Sequence, residues 1–77
     1  MSREEIKIVL SDRWTHLTAA GLAVGSPDVG FTSVELCGTR AQWREARLLV
    51  VRAQMTATGA ARMSATRALR NIDAVLR

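Results

Sequence analysis

Apolar residues recur at Ile6, Leu10, Trp14, Leu17 and Ala20, in steps of three and four that suit one face of an amphipathic helix. Ahead of them, Ser2 and Glu5 have the spacing of a capping box, in which side chains satisfy the free N–H groups of a helix start. Gly21 supplies a terminator. The pattern predicts a helix over 3–21. From Leu22 to Cys37 the texture changes, with Gly25, Pro27 and Gly30 as punctuation and Pro27-Asp28 as a turn-forming pair. Beyond the turn, Val34 and Leu36 alternate with Ser33, Glu35 and Cys37, the period of a half-buried strand. Leu22-Ala23-Val24 reads either as the hairpin partner of that strand or as an irregular loop.

A second capping box, Thr39-Arg40-Ala41-Gln42, follows Gly38 and predicts a helix over about 40–57. Trp43, Ala46, Leu49, Val50, Ala53 and Ala57 form its apolar stripe, and Leu48, Val51 and Met55 widen that stripe beyond one core face. A helix apolar over so much of its circumference is buried on two sides. In so short a chain, the second side points to a partner. Thr58-Gly59 interrupts the pattern, and Ala61, Ala65, Ala68, Leu69, Ile72, Val75 and Leu76 then restore it. One long helix with a soft point at Gly59 and two helices with a turn are both open, and the reading leans towards a break. The expected class is α+β, mainly helical. A helix–short β-hairpin–helix core over 1–58, packed through Leu10, Trp14, Leu17, Trp43, Ala46 and Val50, continues in a basic amphipathic helix over 59–77 of the same single domain.

Length and charge change this picture in two ways. A chain of 77 residues buries only about 60% of its unfolded surface, so a disulfide, a metal or a partner subunit commonly supplements its core. Cys37 is the single cysteine and His16 the single histidine, too few for an internal disulfide or a four-ligand zinc site. A partner remains. The net charge of +4 is also uneven: up to Gly38 three basic residues face five acidic ones, whereas from Thr39 onward eight arginines face only Glu45 and Asp73. Such asymmetry suits contact with nucleic acid or an acidic protein surface, and equally a solvated helix face. The polar N-terminus has no signal-peptide character, and the longest apolar run, Leu48–Val51, falls far short of a bilayer span, so a cytoplasmic location is expected.

Little in the chain suggests catalysis. Asp12 and His16 sit four apart, so the imidazole could be oriented as a base, yet no nucleophile neighbours them, and a surface pairing accounts for both. Cys37 reads as a small buried core residue at a strand end, and Trp14 and Trp43 read as core too. The glycines match neither GxGxxG nor GxxxxGK[ST]. No enzyme activity, cofactor or metal is expected. The arginines carry the functional signal. Arg40, Arg44 and Arg47 form one stripe, and Arg62, Arg67 and Arg70 decorate the C-terminal helix beside Leu69, Ile72 and Leu76. Guanidinium groups suit bidentate contact with carboxylate or phosphate. These nine residues are the candidate partner-binding set, the apolar three docking on protein while the arginines pair with acidic groups. On that expectation the segment after Gly59 is an assembly element that the core can fold without.

The order of capped helix, Gly-punctuated hairpin, capped helix and basic extension resembles the head-completion (head–tail joining) protein W family of lambda-like phages. The similarity centres on Val34-Glu35-Leu36-Cys37-Gly38-Thr39, followed by Trp43 and its apolar stripe, with support from the Gly21–Val34 interval and the polar Ser2-Arg3-Glu4-Glu5 opening. It spans about residues 2–57. Pro27, in a hairpin strand, and a helical rather than flexible tail depart from the family pattern. The resemblance implies a structural protein of the virion, self-associating as a ring below the portal to complete the head and permit tail attachment. Portal and tail-side connector proteins would be its partners, with possible contact to packaged DNA and none to membrane. A small basic nucleic-acid-binding regulator and an inhibitor of a host protein are the rival readings.

Overall fold

The computed structural model describes residues 4–25 and 32–77. Strand β1 (Ile6–Ser11) leads into a 3-10 helix (Asp12–Ala20), a short strand β2 (Ala23–Val24), strand β3 (Ser33–Gly38), and two long helices, α1 (Arg40–Thr56) and α2 (Gly59–Leu76). β3 lies in the middle of the antiparallel sheet, in the order β1-β3-β2, with Ile6 opposite Gly38 and Ala23 opposite Cys37. The 3-10 helix carries the chain from one edge of the sheet to the other. The fold is α+β and mainly helical, as the patterning indicates, with the strand at Val34–Leu36 and its partner at Ala23–Val24 both present. Ser2 and the turn at Pro27-Asp28 lie outside the described residues.

The helix expected over 3–21 is not formed. Ile6 and Leu10 satisfy a helical and a strand period alike, but Ile8 is buried with them while Lys7, Val9 and Ser11 are exposed, which is strict alternation. β-branched Ile6, Ile8 and Val9 reinforce that choice. Beyond Ser11 the buried positions step by three, from Trp14 to Leu17 to half-buried Ala20, matching the three residues per turn of a 3-10 helix. Gly21 closes it with φ +94°, a left-handed conformation that glycine adopts without steric cost.

The expected capping box at Thr39 is made in full: the Gln42 N–H donates to Thr39 Oγ1 at 3.2 Å, and the Thr39 N–H donates to Gln42 Oε1 at 2.8 Å. Helices α1 and α2 are separate, broken at Ala57-Thr58, and Gly59 opens α2 with φ +59°. They form an antiparallel pair against one face of the sheet, α2 lying on β1 and α1 on the 3-10 helix. Ile6, Ile8, Leu10, Val34 and Leu36 from the sheet, Trp14 and Leu17 from the 3-10 helix, and Trp43, Ala46 and Val50 from α1 share one core with Ala65, Ala68 and Ile72 from α2. The C-terminal helix is therefore a wall of the core and not an extension of a core already closed by residues 1–58. Without α2, Trp14 loses its cover and its hydrogen bond to Ser64 Oγ (3.0 Å).

Trp43→Ala should cost about 3–5 kcal/mol in denaturant unfolding, because a fully enclosed ring is removed. A chain truncated after Thr58 should lose its cooperative unfolding transition altogether. A truncated chain with native-like near-ultraviolet dichroism would show that the sheet and α1 suffice.

Candidate macromolecule-binding surfaces

The structure divides the nine candidate residues into three groups. Ile72 is completely enclosed by its own chain, and Leu69 and Leu76 are half-buried against the same core. The helical stripe that suggested docking on a partner is thus satisfied internally, and Ile72 is withdrawn as a partner contact of the folded chain. Arg40 and Arg47 are used in joining the helices. Arg40 Nη1 donates to the Leu76 carbonyl at 2.9 Å, satisfying one of the last carbonyls of α2, and Arg47 grips Asp73 through Nε and, at 3.4 Å, through Nη2. Gln54 donates to Thr66 Oγ1 at 3.0 Å further along the same seam. Arg44, Arg62, Arg67 and Arg70 are exposed, without an ion pair or hydrogen bond of their side chains among the described residues. They keep the availability that the sequence suggests.

The seam fixes which way the exposed residues look. On α1, Arg44, Leu48, Arg52 and Met55 follow helical spacing on the side away from Trp43, Ala46 and Val50. On α2, Arg62, Arg70 and Arg77 share the side of Thr66 and Asp73, which meets α1. The outer face of the hairpin therefore combines arginines from both helices with Leu48, 51% exposed, and Met55, 79% exposed. Leu49 and Ala53 pack on the core as part of the Trp43 stripe, and the apolar surplus beyond it is narrower than the sequence suggests, since Val51 is half-covered. Arg67 belongs elsewhere. It stands on the opposite flank of α2, with Met63 and Asn71, over a groove of about 600 Å³ beside β1. Sequence spacing alone placed Arg67 with Arg70; only the position of β1 beneath α2 separates them.

The hydrogen bond from Arg47 holds the Asp73 carboxyl below the usual carboxylate range against a partial desolvation that works the other way, and the charges of Arg47 and Arg77 add to the lowering. Asp73 in turn keeps the Arg47 guanidinium more firmly protonated. Burial, followed by the charges of Glu35 and Glu5, raises the Cys37 thiol. Cys37 is buried as expected but not in the shared core: it lies on the opposite sheet face, paired across from Lys7. His16 does not meet Asp12: its Nδ1 lies 3.0 Å from the Arg13 carbonyl oxygen, and its ring tilts against Trp14 with centroids 5.5 Å apart. Among the described residues no three His, Cys, Asp or Glu side chains stand close enough together to hold a metal. Nor is any described helix long and apolar enough to cross a membrane. No family model, curated protein or solved structure matches the chain.

Asp73→Asn should lower stability at neutral pH, and the sign of its pH dependence follows from the depressed carboxyl. The stabilisation is fully present above the ordinary carboxylate value and disappears as pH falls through the lower, folded value. Unfolding midpoints of the two proteins should differ at pH 7 and converge below the ordinary Asp value. A gap that persists undiminished in acid would assign it to packing instead.

Proposed function

We propose that the chain is a non-enzymatic docking module that binds an acidic, partly apolar protein surface through the outer face of its helical hairpin. The observation that carries this reading is the composition of that face. Arg44, Arg52, Arg62 and Arg70 have no carboxylate partner among the described residues, while Leu48 and Met55 stand exposed among them. A merely solvated helix would gain nothing from the apolar pair, and a phosphate backbone offers it no complement. A protein surface answers both, with arginine and methionine as favoured interface residues.

The specific assembly taken from the family resemblance is the virion connector. In that setting, copies of the chain ring the underside of an acidic portal, complete the head and present a surface to the tail. The chain would then be made in the host cytoplasm and end in the particle. The resemblance now rests on the span from Val34 through Met55, because the first helix of the expected order is a strand and a 3-10 helix here.

The test is sedimentation of the purified chain with purified portal rings of a lambda-like phage, at low and high salt, against a duplex DNA control. Co-sedimentation should weaken with salt and fall by about tenfold in affinity, or ~1.4 kcal/mol, in the Arg44→Glu/Arg70→Glu double variant. Binding to the duplex in preference to protein, with a steep salt slope, would replace this reading by nucleic-acid recognition.

A further inference from the structure

β1 is the outermost strand of the sheet among the described residues, and its register determines which of its backbone groups are unused. The Asp12 N–H donates to the Thr32 carbonyl at 2.8 Å, continuing the β1–β3 register by one residue. In an antiparallel ladder such hydrogen-bonded pairs recur at every second residue, so Leu10, Ile8 and Ile6 are the residues that bond to β3. The backbone N–H and C=O groups of Lys7 and Val9, and the N–H of Ser11, therefore point the other way, off the edge, while the Ser11 carbonyl caps the 3-10 helix. The bond from the Gly25 N–H to the Glu35 carbonyl, at 2.6 Å, gives the complementary alternation on β3, whose odd residues serve β2.

Edge strands are commonly blunted by proline, a bulge or covering structure. The register of β1 is unbroken and it contains no proline. Beside it runs the groove of about 600 Å³ that α2 overhangs, with Val9 and Ser11 on one wall and Met63, Arg67 and Asn71 on the other. Arg13, two residues past the strand, also lines it. Among the described residues every charged group on the lining is thus a cation, and neither guanidinium has an ion-pair partner among them. Val9 and Met63 add exposed apolar surface, at 47% and 61%.

We propose that this groove accepts an extended acidic peptide segment of a protein partner, which adds to the free edge of β1 as a fourth strand. Main-chain bonds to Lys7, Val9 and Ser11 would supply affinity, and alternate side chains would supply selection. On the helix-facing side, a carboxylate of the segment meets Arg67 or Arg13, and an apolar neighbour two residues away meets Met63. A nucleic acid could answer the arginines, but its phosphates would confront the outward carbonyls of the edge without donating to them. A second copy of this chain fits less well. Its β1 carries Lys7 and no carboxylate, Glu4 and Glu5 preceding the strand, and it would arrive beneath its own α2 with a second Arg67. The proposal is independent of the hairpin-face reading, which uses Arg44 and Arg70 instead.

The probe is a fluorescein-labelled heptapeptide whose odd positions run Asp, Val, Asp, Val with Thr between them, so that one face carries both side-chain types, followed by fluorescence anisotropy with the full chain. Controls are the counterpart with Lys in place of Asp and the same acidic peptide N-methylated at every residue, so that neither of its edges can pair as a strand. The acidic peptide should bind at least about tenfold more tightly than either control, equivalent to ~1.4 kcal/mol. Val9→Pro should cause a comparable loss without unfolding, because that N–H points off the sheet and proline is tolerated at such edges. Arg13→Glu/Arg67→Glu should do the same without altering the strand, whereas Arg44→Glu/Arg70→Glu should leave peptide affinity unchanged. Equal binding of the N-methylated peptide would overturn strand addition. Loss of binding in the Arg44→Glu/Arg70→Glu variant would move the site to the hairpin face. A free chain that sediments as a dimer, and becomes monomeric with Val9→Pro, would give the edge to a second copy and overturn the peptide.

Discussion

The Trp43 ring is wholly enclosed, so its indole N–H must find an acceptor inside the core or lose the hydrogen bond it makes in water. It finds the Ile6 carbonyl, at 2.9 Å. That one bond ties the first turn of α1 to the first residue of β1, 37 residues away in sequence. Once it is made, the capping box at Thr39 holds the start of α1 against the end of β3, and Ala46 and Val50 follow Trp43 into the core. Trp14 plays the matching role on the other side, its Nε1–H reaching Ser64 Oγ in α2. Two indoles thus bind both helices to the N-terminal third. No buried polar side-chain atom among the described residues is left without a partner.

The legible parts of this fold were those where one period had no competitor. Val34 and Leu36 alternate within a segment too short and too β-branched to be a helix, and Thr39–Gln42 marks a helix start by its own chemistry. The first twenty residues misled because Ile6, Leu10, Trp14 and Leu17 fit a helical stripe when read alone. Ile8 was the discriminating residue: a helix would have put it on a different face from Ile6, whereas a strand buries both. The 3-10 segment has no strong sequence signature, since Trp14 and Leu17, three apart, suit an α-helix equally well. At the surface, sequence identified which arginines were numerous but not which were engaged. Arg47 and Arg44 look alike on a helical wheel, and the position of Asp73 on a neighbouring helix distinguishes them.

Charge is partitioned with the same economy. Asp73, one of only two acidic side chains after Gly38, is taken by Arg47, and Arg40 is taken by the Leu76 carbonyl, so Arg44, Arg52, Arg62, Arg67 and Arg70 face outward without an ion-pair partner among the described residues. Self-repulsion among them is a cost to the compact state. The seam reduces it where Arg47 meets Asp73, with Gln54 and Thr66 joined further along by a neutral hydrogen bond. The cations left over are consequently displaced to two separate places, the outer hairpin face and the groove beside β1.

Both places are built on α2, and this follows from the size of the chain. With one small core to fill, the C-terminal helix cannot be held in reserve as an appendage: Ala65, Ala68 and Ile72 complete the enclosure of the core. Two of these three are alanines, and that choice sets how closely α2 approaches the sheet and Trp14. A larger side chain at Ala68 would face atoms already in contact, and overpacking of this kind costs about 1–3 kcal/mol through displaced neighbours. The displacement would lift Arg67 and Met63 away from β1 and shift Arg70 relative to α1 in the same movement. The positions that select what the surface presents, and the positions that hold the core shut, therefore alternate along one helix. On the docking readings proposed here, recognition in this protein is set by how tightly α2 is packed as much as by the arginines it carries.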